Sequence, residues 1–179
     1  FGNARRILKT DRYDSVIVDS AKALSRRFSD RIGVIRSWGK IEDARDFLVI
    51  PDNMMNLELL MSVANMDNNE WLRHVAVSHA DVTMKNHFRE DYTTCHLVDY
   101  VPGTGEVNKK ITVQGLADSS AWARGQAWAL YGYTMMYEQT GDRKYLHQAQ
   151  HIGDMIEGYL PEDGIPYWDF NDPKIPDTY

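Results

Sequence analysis

The feature that most constrains this chain is an alternation between two kinds of helical segment. Residues 52–65 carry apolar side chains on most sides of a helical wheel (Met54, Met55, Leu57, Leu59, Leu60, Val63), and 119–139 do so with alanines and aromatics. A helix that is apolar all round must be surrounded by other structure. The segments 11–28, 69–86 and 142–160 confine their apolar residues to one stripe, at three- and four-residue steps. Tyr13, Val16, Ile17, Leu24 and Phe28 form the first stripe, Trp71, Leu72, Val75, Ala76, His79, Ala80 and Thr83 the second. Tyr145, Leu146, Ala149, Ile152 and Ile156 form the third. Each one-sided segment opens with an acid shortly before an aromatic (Asp11/Tyr13, Asp67/Trp71, Asp142/Tyr145), a weak internal repeat. Surrounded helices alternating with one-sided ones predict an all-α array of hairpins, an inner row covered by an outer row. A solenoid and an α/α toroid fit this pattern equally well.

The connections add a polarity. Those leaving the inner helices are short, 65–68 and 140–141, whereas those leading into them, 29–51 and 87–118, are long. Long loops in a compact domain are usually functional, and these gather at one end of the inner row. Residues 97–100 and 111–113 flank the turn Pro-Gly-Thr-Gly at 102–105 and predict a short hairpin, not an organising sheet. After Leu160 the chain reads as a third long loop with no inner helix behind it. The expectation is that residues 1–179 are part of a single toroid domain, about half the ring, truncated at both ends.

Composition narrows the functions. With 43% hydrophobic and 26% charged residues the chain is ordinary globular material, and a net charge of −6 gives no electrostatic reason to bind nucleic acid or a membrane surface. An acidic ligand would need local cations. Cys95 is the only cysteine, so no internal disulfide forms and the compartment stays open. No ligand spacing suggests a cofactor or catalytic metal: His87 and His96 fit no compact motif, and His147/His151 lack an acid partner.

Four places can carry chemistry. Asp52 opens the most apolar helix; position alone favours a helix N-cap, while a carboxyl among so many apolar groups also suits a proton donor of raised pKa. His96, after Cys95, reads as a structural histidine or a hydrogen-bonding group for a ligand. In 114–128, Asp118 is a good N-cap, and Trp122, Arg124 and Trp128 fall within the first three turns behind it. A buried arginine fork there suits a carboxylate, and tryptophans can stack on sugar rings. Gly125 in that helix suggests a close approach. Trp38, in the other long loop, is a core plug or a stacking platform.

The stretches IPDNMMNLELL (50–60), HADVTMKNHFRED (79–91), HLVDYVPGTGE (96–106), QGLADSSAWARGQAWALYGY (114–133), TGDRKYL (140–146) and LPEDGIPYWDF (160–170) run in one order along the chain. In these the sequence resembles the unsaturated glucuronyl hydrolases, glycoside hydrolase family 88, with RGQAW and its preceding QG the most specific match. The resemblance implies an (α/α)6 toroid and hydration of the 4,5 double bond of a terminal unsaturated uronic acid, with an unsaturated acidic oligosaccharide as ligand. It implies that Asp52 is the general acid/base, which reverses the preference for a pure N-cap, and that Trp38, His96, Gln114, Arg124 and Trp128 contact substrate. It also implies a second aspartate from an earlier helix, for which this chain has no match. The related unsaturated rhamnogalacturonyl hydrolases typically differ at RGQAW, and a non-catalytic helical-repeat binding module would call for regular repeats of about 34 residues. Oligomeric state is not legible, and bacterial cytoplasm and periplasm remain open.

Overall fold

The computed structural model describes residues 1–177; 178 and 179, the last two of the expected domain, lie outside the described residues. The elements run α1 (Gly2–Leu8), α2 (Asp14–Ser25), β1 (Phe28–Ser29), β2 (Val34–Ile35), β3 (Leu48–Val49), α3 (Asn53–Asp67), α4 (Glu70–His87), β4 (Leu97–Tyr100), β5 (Val107–Ile111), α5 (Ala123–Thr140) and α6 (Arg143–Tyr159).

Helices α3 and α5 lie side by side as the inner row, with α2, α4 and α6 outside them. The contact is close because Gly132 of α5 has no side chain: a Cβ there would sit 2.4 Å from the Cβ of Met54. Further along the seam Tyr131 Oη donates to Glu58 Oε2 at 2.5 Å and Asn65 Nδ2 to Gln139 Oε1 at 2.7 Å. Both hairpins turn through a left-handed residue, Asn68 (φ 50°) after α3 and Gly141 (φ 71°) after α5. The outer helices that follow, α4 and α6, start on side-chain caps, Asn69 accepting from Leu72 N–H and Asp142 from Lys144 N–H. Asp81 of α4 accepts from Tyr145 Oη of α6 at 2.8 Å, which joins the outer row.

One core fills the space between the rows, with Met54, Leu57, Leu60, Met61, Leu72, Val75, Tyr133, Met136, Tyr145 and Ile152 all buried. Each such side chain contributes about 1.5–3 kcal/mol. A second, smaller cluster of Ile32, Val34, Phe47, Val49, Cys95, Val98 and Tyr100 sits under the loops. There β3, β4 and β5 form an antiparallel sheet, with Leu48 opposite Asp99 and Leu97 opposite Ile111. The two long loops are therefore paired to each other at one end of the helices. Among the described residues no helix is long and apolar enough to cross a membrane.

Several expectations need correction. Helix α1 was not anticipated: it buries no residue and is held by the Arg5–Asp14 ion pair and Phe1 against Tyr13. The second hairpin strand lies at Val107–Ile111 rather than 111–113, because the Thr112 N–H goes to Asp118 Oδ1 and the Val113 N–H to His96 Nδ1. For the same reason Asp118 is not the N-cap of α5. That helix starts later, at Ala123, since Ser120 and Ala121 are bonded instead to Asp169 and Asn171.

Candidate active site

Asp52 stands where β3 hands the chain to α3. Its backbone is already helical (φ −55°, ψ −26°), and no first-turn N–H reaches its carboxylate. A capping side chain needs extended backbone, so Asp52 occupies the cap position without doing the capping. Its Oδ1 is buried with no hydrogen-bond partner, and its Oδ2 lies 3.5 Å from Arg124 Nε. Burial pushes this carboxyl above its ordinary range, while the Arg124 guanidinium, and more weakly His96, pull it back.

His96 enters just before β4. Its Nδ1 accepts from Val113 N–H at 2.9 Å, so the neutral ring carries its hydrogen on Nε2, which donates to Gln114 Oε1 at 3.2 Å. Burial lowers the imidazole's pKa and favours this neutral form. The same Gln114 oxygen accepts from Arg124 Nη2 at 3.2 Å. The guanidinium lies over the Trp122 ring, 4.1 Å from its centroid. His96 stands edge-on to Trp122 (4.8 Å) and to Trp38 (5.9 Å).

The fold thus brings together Trp38, Asp52, His96, Gln114 and Arg124 around Trp122. Trp128 is placed one turn further along α5, where its ring meets Tyr131 edge to face. Arg124 is not the buried arginine that its apolar neighbours suggested: its side chain is 52% exposed, opening toward solvent from the aromatic bed. Gly125 is tightly placed as expected, a Cβ there coming within 3.3 Å of the Trp122 ring. Cys95 is buried, and burial raises its thiol's pKa, which makes it a poor nucleophile. His147 and His151 are exposed, the latter stacked on Tyr92. Among the described residues no three His, Cys, Asp or Glu side chains gather to hold a metal.

Three supporting residues escaped the sequence reading. Gln126, buried in α5, accepts from Thr94 N–H (2.8 Å) and donates to Thr94 O (3.3 Å), tying the approach to His96 onto the helix that carries Arg124. Arg89 donates to the carbonyls of Thr94, Asp118 and Ser120. Asp169 is buried beneath the loop that carries Gln114. The only available signal for Asp169 was a lone acid between aromatics in YWDF.

A partly buried carboxyl, a partly exposed guanidinium fork and aromatic rings brought side by side suit a ring-shaped anion and a proton transfer. No family model matches the chain. A protein of Formosa agariphila described as an unsaturated glucuronyl hydrolase is 48% identical over 168 residues, 93% of this chain and 42% of that protein. An unsaturated chondroitin disaccharide hydrolase of Streptococcus agalactiae is 33% identical over 152 residues, 85% of this chain and 38% of that protein. The crystal structure of an unsaturated glucuronyl hydrolase specific for heparin matches with a TM-score of 0.91 at 43% identity, covering 97% of this chain and 47% of that one. The hairpin array is therefore a stretch of an α/α toroid. Over the span it covers, about two fifths of the length of the curated relatives it matches, the chain is similar to the unsaturated glucuronyl hydrolases in sequence and in fold.

Proposed function

We propose that the protein removes the unsaturated uronic acid from the non-reducing end of glycosaminoglycan-type oligosaccharides left by a lyase, and that residues 1–179 are part of its single toroid catalytic domain. The observation that carries this reading is the state of Asp52, a carboxyl raised by burial, with one oxygen unbonded and the other facing Arg124. The relatives' descriptions name chondroitin and heparin, which supports the glycosaminoglycan class.

In this mechanism Arg124 and Gln114 hold the uronate, while Trp38, Trp128 and the His96 ring wall the sugar. Protonated Asp52 gives its proton to C4 of the enol ether. Positive charge develops at C5, water attacks there, and the Asp52 carboxylate takes up the water's proton. The C5 hemiketal opens to a ketone, leaving a hemiacetal at C1. That hemiacetal collapses to an aldehyde and releases the next sugar as an alcohol. One water is consumed, and no group attacks the anomeric carbon.

The test follows loss of enol-ether absorbance when the full-length gene product meets an unsaturated chondroitin disaccharide. Asp52→Asn should lower the rate by about 10²- to 10⁴-fold. A variant as active as wild type removes Asp52 from this role, and wild-type silence on chondroitin, heparin and pectin disaccharides alike ends the hydrolase reading. Hydrolysis of the pectin disaccharide alone would favour the rhamnogalacturonyl alternative. The pH profile has a definite sign. Donation needs protonated Asp52, so activity falls as pH rises through its pKa. Arg124 lowers that pKa, so Arg124→Met should move the falling limb to higher pH while raising KM.

A further inference from the structure

We infer that Asp169 is a positioning residue for this site, a buried carboxylate that holds the loop 112–122 and thereby sets Gln114 and Trp122 against Arg124 and Asp52. Asp169 is fully buried, 0% exposed, in the segment that follows α6. Its Oδ2 accepts from Leu116 N–H at 2.9 Å and from Ser120 Oγ at 2.6 Å, and its Oδ1 accepts from Asn171 N–H at 3.1 Å. The backbones meet in an antiparallel bridge between Trp122 and Asp169. Around that bridge Phe170 N–H donates to Ala121 O and Ala123 N–H to Trp168 O, while Asn171 Oδ1 accepts from Ala121 N–H. The packing leaves little slack: a Cβ on Gly115 would meet Asp169 Oδ2 and the Trp122 Cβ, both at 3.2 Å.

The described partners of Asp169 are N–H and O–H donors, not a cation. A buried carboxylate is costly unless such charge-assisted bonds are made, and two of its three come from the site loop. Were the loop to lift, it would leave a buried charge short of donors, so the loop is held in one place. Gln114 lies two residues before Leu116, and Trp122 two after Ser120. Gln114 Oε1 is the shared acceptor for His96 Nε2–H and Arg124 Nη2, and Trp122 is the bed on which the guanidinium rests. The effect of Asp169 therefore passes through Leu116 and Ser120 to the groups that face the ligand.

The kinetic part of the test rests on the function proposed above. In the full-length gene product, Asp169→Asn keeps the shape but offers one acceptor oxygen where two are used. KM for an unsaturated chondroitin disaccharide should rise about tenfold, with kcat within about threefold, because the uronate contacts are displaced and Asp52 is untouched. Ser120→Ala should give a smaller rise of the same kind. The double variant Asp169→Asn/Gln114→Ala should raise KM by less than the product of the two single effects, since part of the effect of Asp169 passes through Gln114. An unchanged KM, or additive effects in the double variant, would overturn the inference. A protein inactive on every unsaturated uronide defeats the functional reading instead, and amide hydrogen exchange then decides about Asp169 without substrate. Faster exchange at 114–122 in Asp169→Asn, with α3 and α5 unchanged, supports the positioning role, and unchanged exchange in that loop overturns it.

Discussion

Trp38 and His96 meet edge to face beside Asp52, 5.9 Å between ring centroids, yet the segments that carry them are secured in opposite ways. The tip of the first loop is held from within. Arg27 donates to the carbonyls of Arg36 (2.9 Å), Ser37 (3.2 Å) and Gly39 (3.1 Å), which bracket Trp38. Arg36, 3% exposed, donates to Asp43 O at 2.7 Å and lies over the Phe47 ring. Ser37 Oγ accepts from Ile50 N–H, the widest of these spans at 13 positions. The second loop is held from far along the chain. Gln126 reaches back 32 positions to Thr94, Arg89 reaches forward 29 to Asp118, and Asp169 lies 53 positions beyond Leu116. The base strands of the first loop are also pinned remotely, since His79 Nδ1 accepts from Ile35 N–H and His87 Nε2 donates to Val49 O. Only its tip is self-contained. Short closures cost less chain entropy than long ones, so the Trp38 wall can form early, while the Gln114 wall waits for α5 and the segment after α6.

Acid should break the base of the first loop most strongly. Burial holds His79 near a pKa of about 3 and His87 near about 4, against 6.5 unfolded. Both stay neutral in the fold, so as pH falls below 6.5 the unfolded chain takes up protons first. The stability they allow is complete above 6.5 and is lost downward toward their folded values. Between pH 7.5 and about pH 5 the pair should cost on the order of 4 kcal/mol, read by chemical denaturation across pH. His87→Asn should flatten that slope; an unaltered slope refutes the assignment.

Arg36→Ala should come next, losing about 2–4 kcal/mol because a buried guanidinium and its carbonyl partner are both stripped. Gln126→Ala should cost about 1–3 kcal/mol by stranding the Thr94 N–H, with a rise in KM as His96 drifts. Arg27→Ala should be mildest, about 1 kcal/mol, since its carbonyl partners are partly open to water. The comparison sharpens in hydrogen exchange: Arg27→Ala should loosen only 36–40, whereas Gln126→Ala should loosen both 93–97 and the start of α5. Spreading in the first case, or confinement in the second, would undo the distinction between local and remote anchoring.

The same distinction explains what was legible in the sequence. The hairpin array could be read because the spread of apolar residues around each helix is a local property. The start of α5 could not. Asp118 has every local mark of a cap, but Thr112 claims its carboxylate, and Ser120 and Ala121 are drawn off by Asp169 and Asn171. Asp52 misled in the opposite direction, since only the helical backbone at that residue reveals that the carboxylate is not spent on capping. His96, Arg124 and Trp38 stand out by residue type and position, and the family resemblance adds Gln114 and the roles it implies for them. That Trp122 lies beneath Arg124 and leaves it open to solvent depended on the path of a loop that no local pattern encodes.

The missing side chain at Gly132 works as the fulcrum of a lever. It meets Met54, two residues beyond Asp52, and lies two turns along α5 from Arg124. Thickening that pivot by one methyl would prise the inner helices apart, and the gap would reach the far ends of both arms, where the acid and the guanidinium sit. The span between Asp52 and Arg124 is gauged by an atom that is not there.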